Sequence, residues 1–307
     1  MIETIKRDYH IDILGIIKIS EKVYKLKLAD EFLALKFCES YDFIQNYYYI
    51  KTLRLDCFVS ILLNKDNSPV SKYEQRYYYI MPWYESDMVP MRELKLKFYF
   101  QTIAWLHNHT FYNVKVNQQY FENLCDDICK IIQERKNYYY QLLCFCEQKF
   151  DRSPWQWMLL MNYYRIENSL NFAQNQLEQY RSMCEHKEYV RVSFVYMNFK
   201  YQHIYLNYQK LISIDHMKID MPIYDIFNMY QQTNDTLFDL DSLFQFYLNK
   251  VVLYEDEKVL LSSLLSIVPI VKLEEKHIDN VIILSRLVYY MDSVSHLATQ
   301  LINNENC

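Results

Sequence analysis

The stretch from Tyr189 to Asp215 reads YVRVSFVYMNFKYQHIYLNYQKLISID. Three apolar or β-branched runs lie within it, Val190 to Val195, Ile204 to Leu206 and Leu211 to Ile214, and each predicts a short strand. An acid, Asp215, closes the last of them. Short strands of this kind, set among helices and ending on an acid, hold polar groups at a cleft.

On both sides of this β-island the apolar residues follow a helical period, over 91–109, 118–150 and 154–185 before it and over 237–249, 255–268 and 276–302 after it. Nearer the N-terminus the texture is different. The stretches Ile11 to Ile19, Lys22 to Leu28 and Phe32 to Phe37 predict a β-meander, followed by a helix over 41–53. Two more strands, 58–63 and 76–81, are predicted around the polar turn Asn64 to Pro69. The chain therefore reads as an α+β protein, with a β-rich lobe over residues 1–83. A helical lobe follows over 84–307, carrying the island at 189–217. No internal repeat is visible.

Composition removes several classes of function. The 307 residues are 51% apolar and 17% aromatic, enough to bury a large core. The formal net charge of −5 offers no positive field for nucleic acid or an anionic membrane. The N-terminal twelve residues lack a signal-type apolar core, and no run approaches the roughly 18 apolar residues of a membrane span. The expected location is the cytoplasm.

The chain has one glycine, Gly15, so no phosphate-cradling loop of the G-x-G-x-x-G or Walker type can be written, nor a nucleophile elbow. The thirty-one tyrosines include runs at 47–49, 77–79 and 138–140, read as packing surface first and adhesive surface second. Eight cysteines lack a secreted framework and read as reduced, buried thiols. Cys125/Cys129 and Cys144/Cys146 have no second pair at zinc-site spacing. His107 and His109, two apart on a helix, cannot chelate from one face.

The motifs Tyr77-Tyr-Tyr-Ile-Met-Pro-Trp83, Ile103-Ala-Trp-Leu-His107, Arg152-Ser-Pro154, Tyr201-Gln-His203 and Leu211-Ile-Ser-Ile-Asp215, then Pro222-Ile-Tyr-Asp225, occur in a telling order. Together with Leu33-Ala-Leu-Lys36 they resemble the bacterial spore-coat proteins related to aminoglycoside and choline phosphotransferases. That resemblance implies a two-lobed protein-kinase-like fold over nearly the whole chain. It implies that Lys36 reaches nucleotide phosphates, positioned in active relatives by a helix glutamate. Here the helix start offers Glu39 and Asp42. Asp215 falls where such proteins place their metal-chelating aspartate, and His216-Met217 follows it. Asp225 matches an acid that scaffolds the catalytic loop, and His107 a packing histidine of the core.

The catalytic loop of active relatives reads His-Gly-Asp, four residues, then Asn, and these positions fall here on Tyr196-Met197-Asn198 and His203. Both working residues differ. An asparagine amide orients a hydroxyl but cannot accept its proton. Imidazole is a borderline ligand where magnesium wants hard oxygen, so His203 reads as structural. The expected function is a catalytically impaired, pseudokinase-type module that binds or assembles with other proteins, in the manner of a spore-coat component, with no cofactor required. The alternatives are an active ATP- and magnesium-dependent phosphotransferase on a small hydroxylated molecule, and a nucleotide-binding regulator that performs no transfer. Lys36 and Asp215 are expected to face one cleft.

Overall fold

The computed structural model describes residues 1–38, 40, 41, 43–86, 91–233 and 240–303. Two compact units share the chain: residues 1–106 with 194–219, and residues 107–193 with 220–307. Packing thus groups 84–106 and most of the β-island with the N-terminal sheet.

The first unit opens with α1 (Ile2–Tyr9), β1 (Gly15–Lys18), β2 (Val23–Lys27), β3 (Phe32–Cys38), α2 (Phe43–Thr52), β4 (Ser71–Tyr73) and β5 (Arg76–Pro82). The strands form one antiparallel sheet in the order β1-β2-β3-β5-β4. Alternation divides its side chains cleanly. Leu33, Leu35, Phe37, Tyr78 and Ile80 join Ile5, Tyr9 and Ile13 in one buried cluster, so one face of the sheet is covered by α1 and the turn after it. The opposite alternation carries Ala34 and Lys36 on β3, facing Met81 and Tyr79 on β5 in register. This second face is the one that builds the site.

Two expectations for this unit need correction. Residues 58–63 make no strand ladder: Phe58, Val59 and Ile61 are buried, but the segment makes one isolated bridge, from Phe58 to Leu211, and one bond from Leu62 N to Ile80 O at 2.8 Å. The fifth strand is β4 instead. The helix α1 was not expected either, although Ile5 and Tyr9, four apart, supply its buried stripe.

Onward come α3 (Arg92–Thr110), β6 (Tyr112–Lys115), α4 (Gln118–Glu147), α5 (Pro154–Met183) and β7 (Tyr189–Val195). After these follow β8 (Ile204–Tyr205), β9 (Lys210–Leu211), β10 (Lys218–Asp220), α6 (Ile223–Gln232), α7 (Leu240–Leu248), α8 (Glu255–Leu265) and α9 (His277–Asn303). In the second unit α5 is the central element, packed on α4, α8 and α9. Its start is fixed by sequence: Pro154 is preset for a first helical residue, and the Ser153 backbone N–H donates to the Gln156 side chain at 2.8 Å in a capping box. Leu159, Ile166, Leu170, Ala173, Leu177 and Tyr180 then form its buried stripe. None of the described helices is long and apolar enough to cross a membrane.

Candidate functional site

Every residue of the candidate site belongs to the first unit. β8 and β9 pair antiparallel, with Ile204 opposite Leu211, and Leu211 also bridges Phe58. This clamp fixes the chain that runs on through Ser213 into the single 3-10 turn Ile214–His216, which presents Asp215. Ser213 takes a left-handed conformation at φ 63°, so the chain turns sharply just before the acid without a glycine.

Lys36 and Asp215 meet directly. Lys36 Nζ donates to Asp215 Oδ1 at 2.6 Å, with the two side chains only 12% and 9% exposed. The Tyr79 hydroxyl donates to the same oxygen at 3.0 Å, because register sets Tyr79 opposite Lys36. His216 Nε2 stands 3.5 Å from Asp215 Oδ2. Burial works to raise the pKa of Asp215, but the charge and hydrogen bond of Lys36, with His216, outweigh it and hold the carboxyl below its ordinary value. Tyr79 is pushed well above the usual phenol by burial and then by Asp215, so it stays a neutral donor. Nothing in the sequence singled out Tyr79, which sits in a tyrosine run that reads as packing.

Asn198 and His203 are brought to the same place. The Asn198 amide donates to the Ser213 carbonyl at 3.3 Å, and His203 Nδ1 lies 3.0 Å from the Asn198 carbonyl. A carbonyl only accepts, so Nδ1 carries the hydrogen and Nε2 of the neutral ring keeps its lone pair. Burial lowers the pKa of His203 to about 4, against the partial support of the Asn198 carbonyl. The ring is neutral at physiological pH. Met197 has φ 57°, so a residue with a side chain makes a left-handed turn directly before Asn198.

A cavity of about 590 Å³ adjoins these groups, within the size range of small-molecule sites. Ile19 to Val23, Ala34, Met81 to Tyr84, Tyr205 and Ile212 line it, together with Lys36, Asn198, Lys200, Gln202, His203, Ser213 and His216. In the turn between β1 and β2, the amides of Ile19 and Ser20 both donate to Val23 O, at 3.0 and 3.1 Å, and Lys22 N donates to Ser20 Oγ at 3.3 Å. Three N–H groups that a glycine-rich loop would aim at phosphate are used within the turn.

Magnesium, which the resemblance implies at Asp215, does not fit this donor set. It takes hard oxygen ligands in octahedral geometry, whereas one oxygen of Asp215 is shared by an ammonium and a phenol and the second position offers imidazole. No three His, Cys, Asp or Glu side chains among the described residues converge on a possible metal position. The acids Glu39 and Asp42, named as partners for Lys36, lie outside the described residues.

His107 and Asp225 belong to the second unit. Both are fully buried, with His107 Nε2 3.1 Å from Asp225 Oδ2 and His107 Nδ1 2.8 Å from the Tyr247 hydroxyl. The carboxylate accepts from Nε2–H, and Nδ1 accepts from the phenol. Asp225 occupies the first turn of α6, so this chain of bonds ties α3, α6 and α7 together.

No protein-family model and no curated protein matches the sequence. Solved structures do match. An aminoglycoside phosphotransferase from Alicyclobacillus acidocaldarius has a TM-score of 0.71 at 11% identity, covering 95% of this chain and 92% of that one. A spectinomycin phosphotransferase solved with ADP and spectinomycin has a TM-score of 0.56 at 11% identity, covering 98% and 97%. A microcompartment-associated aminopropanol kinase has a TM-score of 0.56 at 12% identity, covering 97% and 95%. Likeness at such low identity establishes the fold: this chain has the α+β protein-kinase-like fold of those proteins.

Proposed function

We propose that this chain is a kinase-fold protein that does not transfer phosphate and acts as a binding or assembly module. The observation that carries the reading is Asn198. By the motif resemblance it stands for the aspartate that orients and deprotonates the acceptor in active phosphotransferases, and its amide donates to the Ser213 carbonyl. General-base help of that kind is worth on the order of 10²–10⁴-fold, and an amide supplies none of it. The metal-side substitution, His203, adds to the same loss, since charge neutralisation and positioning carry most of phosphoryl transfer.

The spectinomycin phosphotransferase binds ADP, and by analogy the cavity beside Lys36 is a binding site for a related ligand. In the assembly role, exposed aromatic residues such as Tyr140, Tyr164 and Phe150 supply contact surface. The motif resemblance extends this reading to incorporation in a spore coat, which fractionation of spores from a sporulating host expressing the tagged chain tests.

The decisive assay measures phosphate transfer from ATP or GTP to aminoglycoside, choline and protein acceptors. The unmodified chain should show none above background. Because the two positions act as a unit, Asn198→Asp and His203→Asn together should restore more activity than either alone. Robust turnover by the unmodified chain, abolished by Asp215→Ala, sinks the reading.

A further inference from the structure

The ionic character of the cavity is lopsided. Three ammonium groups, Lys22, Lys36 and Lys200, belong to its lining against one carboxylate, Glu21, while the His203 ring beside them is neutral. That carboxylate is itself 90% exposed and paired with Lys18 at 2.7 Å. Asp215, the acid that a metal-dependent site would turn toward its cation, is not among the described lining residues. It is occupied by Lys36 and Tyr79. With the amides of Ile19, Ser20 and Lys22 used within the β1–β2 turn, the ammonium groups of Lys36 and Lys200 in the lining are placed to meet negative charge.

We infer that the cavity takes a phosphorylated, multiply anionic ligand without a divalent cation, its charge met by Lys36 and Lys200. The inference rests on the reading that this chain binds but does not transfer. A phosphate approaching Lys36 competes with Asp215 for one ammonium, so the carboxylate opposes binding. In a metal-bridged site the same carboxylate promotes binding. The sign of its removal therefore separates the two arrangements.

The experiment is calorimetric titration of the full chain with ADP, once in EDTA and once in excess magnesium, for the unmodified protein and for Asp215→Asn and Lys200→Gln. The expected result is equal affinity within about twofold in the two buffers. Asp215→Asn should tighten ADP by at least about threefold, as loss of one nearby negative charge requires, and Lys200→Gln should weaken it. Binding that needs magnesium and vanishes in Asp215→Asn overturns the inference, as does failure of ADP to bind in either buffer. Should Asp215→Asn melt too low to titrate, the exposed Lys200→Gln and the two-buffer comparison still decide. Magnesium-dependent ADP binding with no turnover defeats this inference alone, whereas turnover defeats the reading beneath it.

Discussion

His203 couples the candidate site to pH. Its ring is half-buried with a pKa near 4 in the folded chain, against an ordinary 6.5, chiefly because burial penalises the charged form. The folded state therefore holds fewer protons than the unfolded one between these values. Stability from this group is fully present above pH 6.5, and is lost as pH falls toward 4. The loss at pH 4.5 is on the order of 2–3 kcal/mol. Urea denaturation at pH 7 and pH 4.5 should show that drop in the unmodified chain and a smaller one, by about that amount, in His203→Asn. An unchanged pH dependence in the variant would mean that the ring is hydrated and titrates normally. The loop that carries His203 was legible as a motif because its residue types sit at the right spacing around Asn198. The bond from Asn198 to Ser213, 15 residues on, was not, and although Lys36 and Asp215 were expected to face one cleft, nothing in residues 179 apart announced that they pair directly.

Among elements, β7 and α8 depend on a buried ion pair that no motif announced. Arg191 on β7 donates from Nε to Glu257 Oε1 at 2.8 Å, pairs a second time with Oε2 through Nη2, and reaches Val252 O at 2.8 Å. Its guanidinium lies over the rings of Phe111 and Tyr254, 4.3 and 3.9 Å from their centroids. Glu257 in turn accepts from Tyr254 N at 2.9 Å, the N-cap bond of α8. Removing one partner leaves the other charge buried. Arg191→Met should therefore destabilise by about 3–5 kcal/mol, while Arg191→Met with Glu257→Leu should recover much of the loss. Equilibrium denaturation of the single and double variants checks this, and an additive double variant would refute the pairing. The long helices were readable because their apolar stripes persist for many turns, and so were β2, β3 and β5. Segment 58–63 misled because an apolar β-branched run reports burial, and burial here is satisfied without a ladder. The short helix α6 was implied only by the motif that sets Asp225 at a helix start, because ten residues offer too few turns for periodicity to stand out.

At the scale of the whole molecule, the tyrosine runs divide as the periods of their elements require. Tyr47 is buried in α2 while Tyr48 and Tyr49 are exposed, Tyr139 is buried in α4 while Tyr140 is exposed, and Tyr78 and Tyr79 are both buried on opposite faces of β5. The runs are thus half core and half surface. The scarcity of glycine has a matching signature, since all described residues with positive φ, from His10 to Ser213, carry side chains, and Gly15 is not among them. Left-handed turns are made here at some steric cost rather than by glycine.

The cysteines permit a test of how tightly both units hold their cores. Cys38 and Cys57 lie in the first unit, with thiols that burial pushes up to about 12. Cys146 and Cys184 lie in the second, raised to about 11 by the same cause. Only the thiolate reacts with alkylating reagents, so at pH 8 all four are disfavoured by their scarce thiolate, and the buried Cys38, Cys146 and Cys184 by lack of access as well. Their labelling must wait for opening of the surrounding structure, whose free energy approaches the global value in well-packed regions. Iodoacetamide at pH 8 should therefore modify Cys38, Cys146 and Cys184 slowly in the native chain and at the rate of a free thiol in denaturant. Peptide mapping by mass spectrometry over a time course reads each site separately. Fast labelling of Cys38 with slow labelling of Cys184 would show that the first unit opens on its own. Fast labelling of all three in the native chain would show that the packing of both units is loose, and the buried pairs at Lys36 and Arg191 would lose the dry surroundings on which their energetics depend.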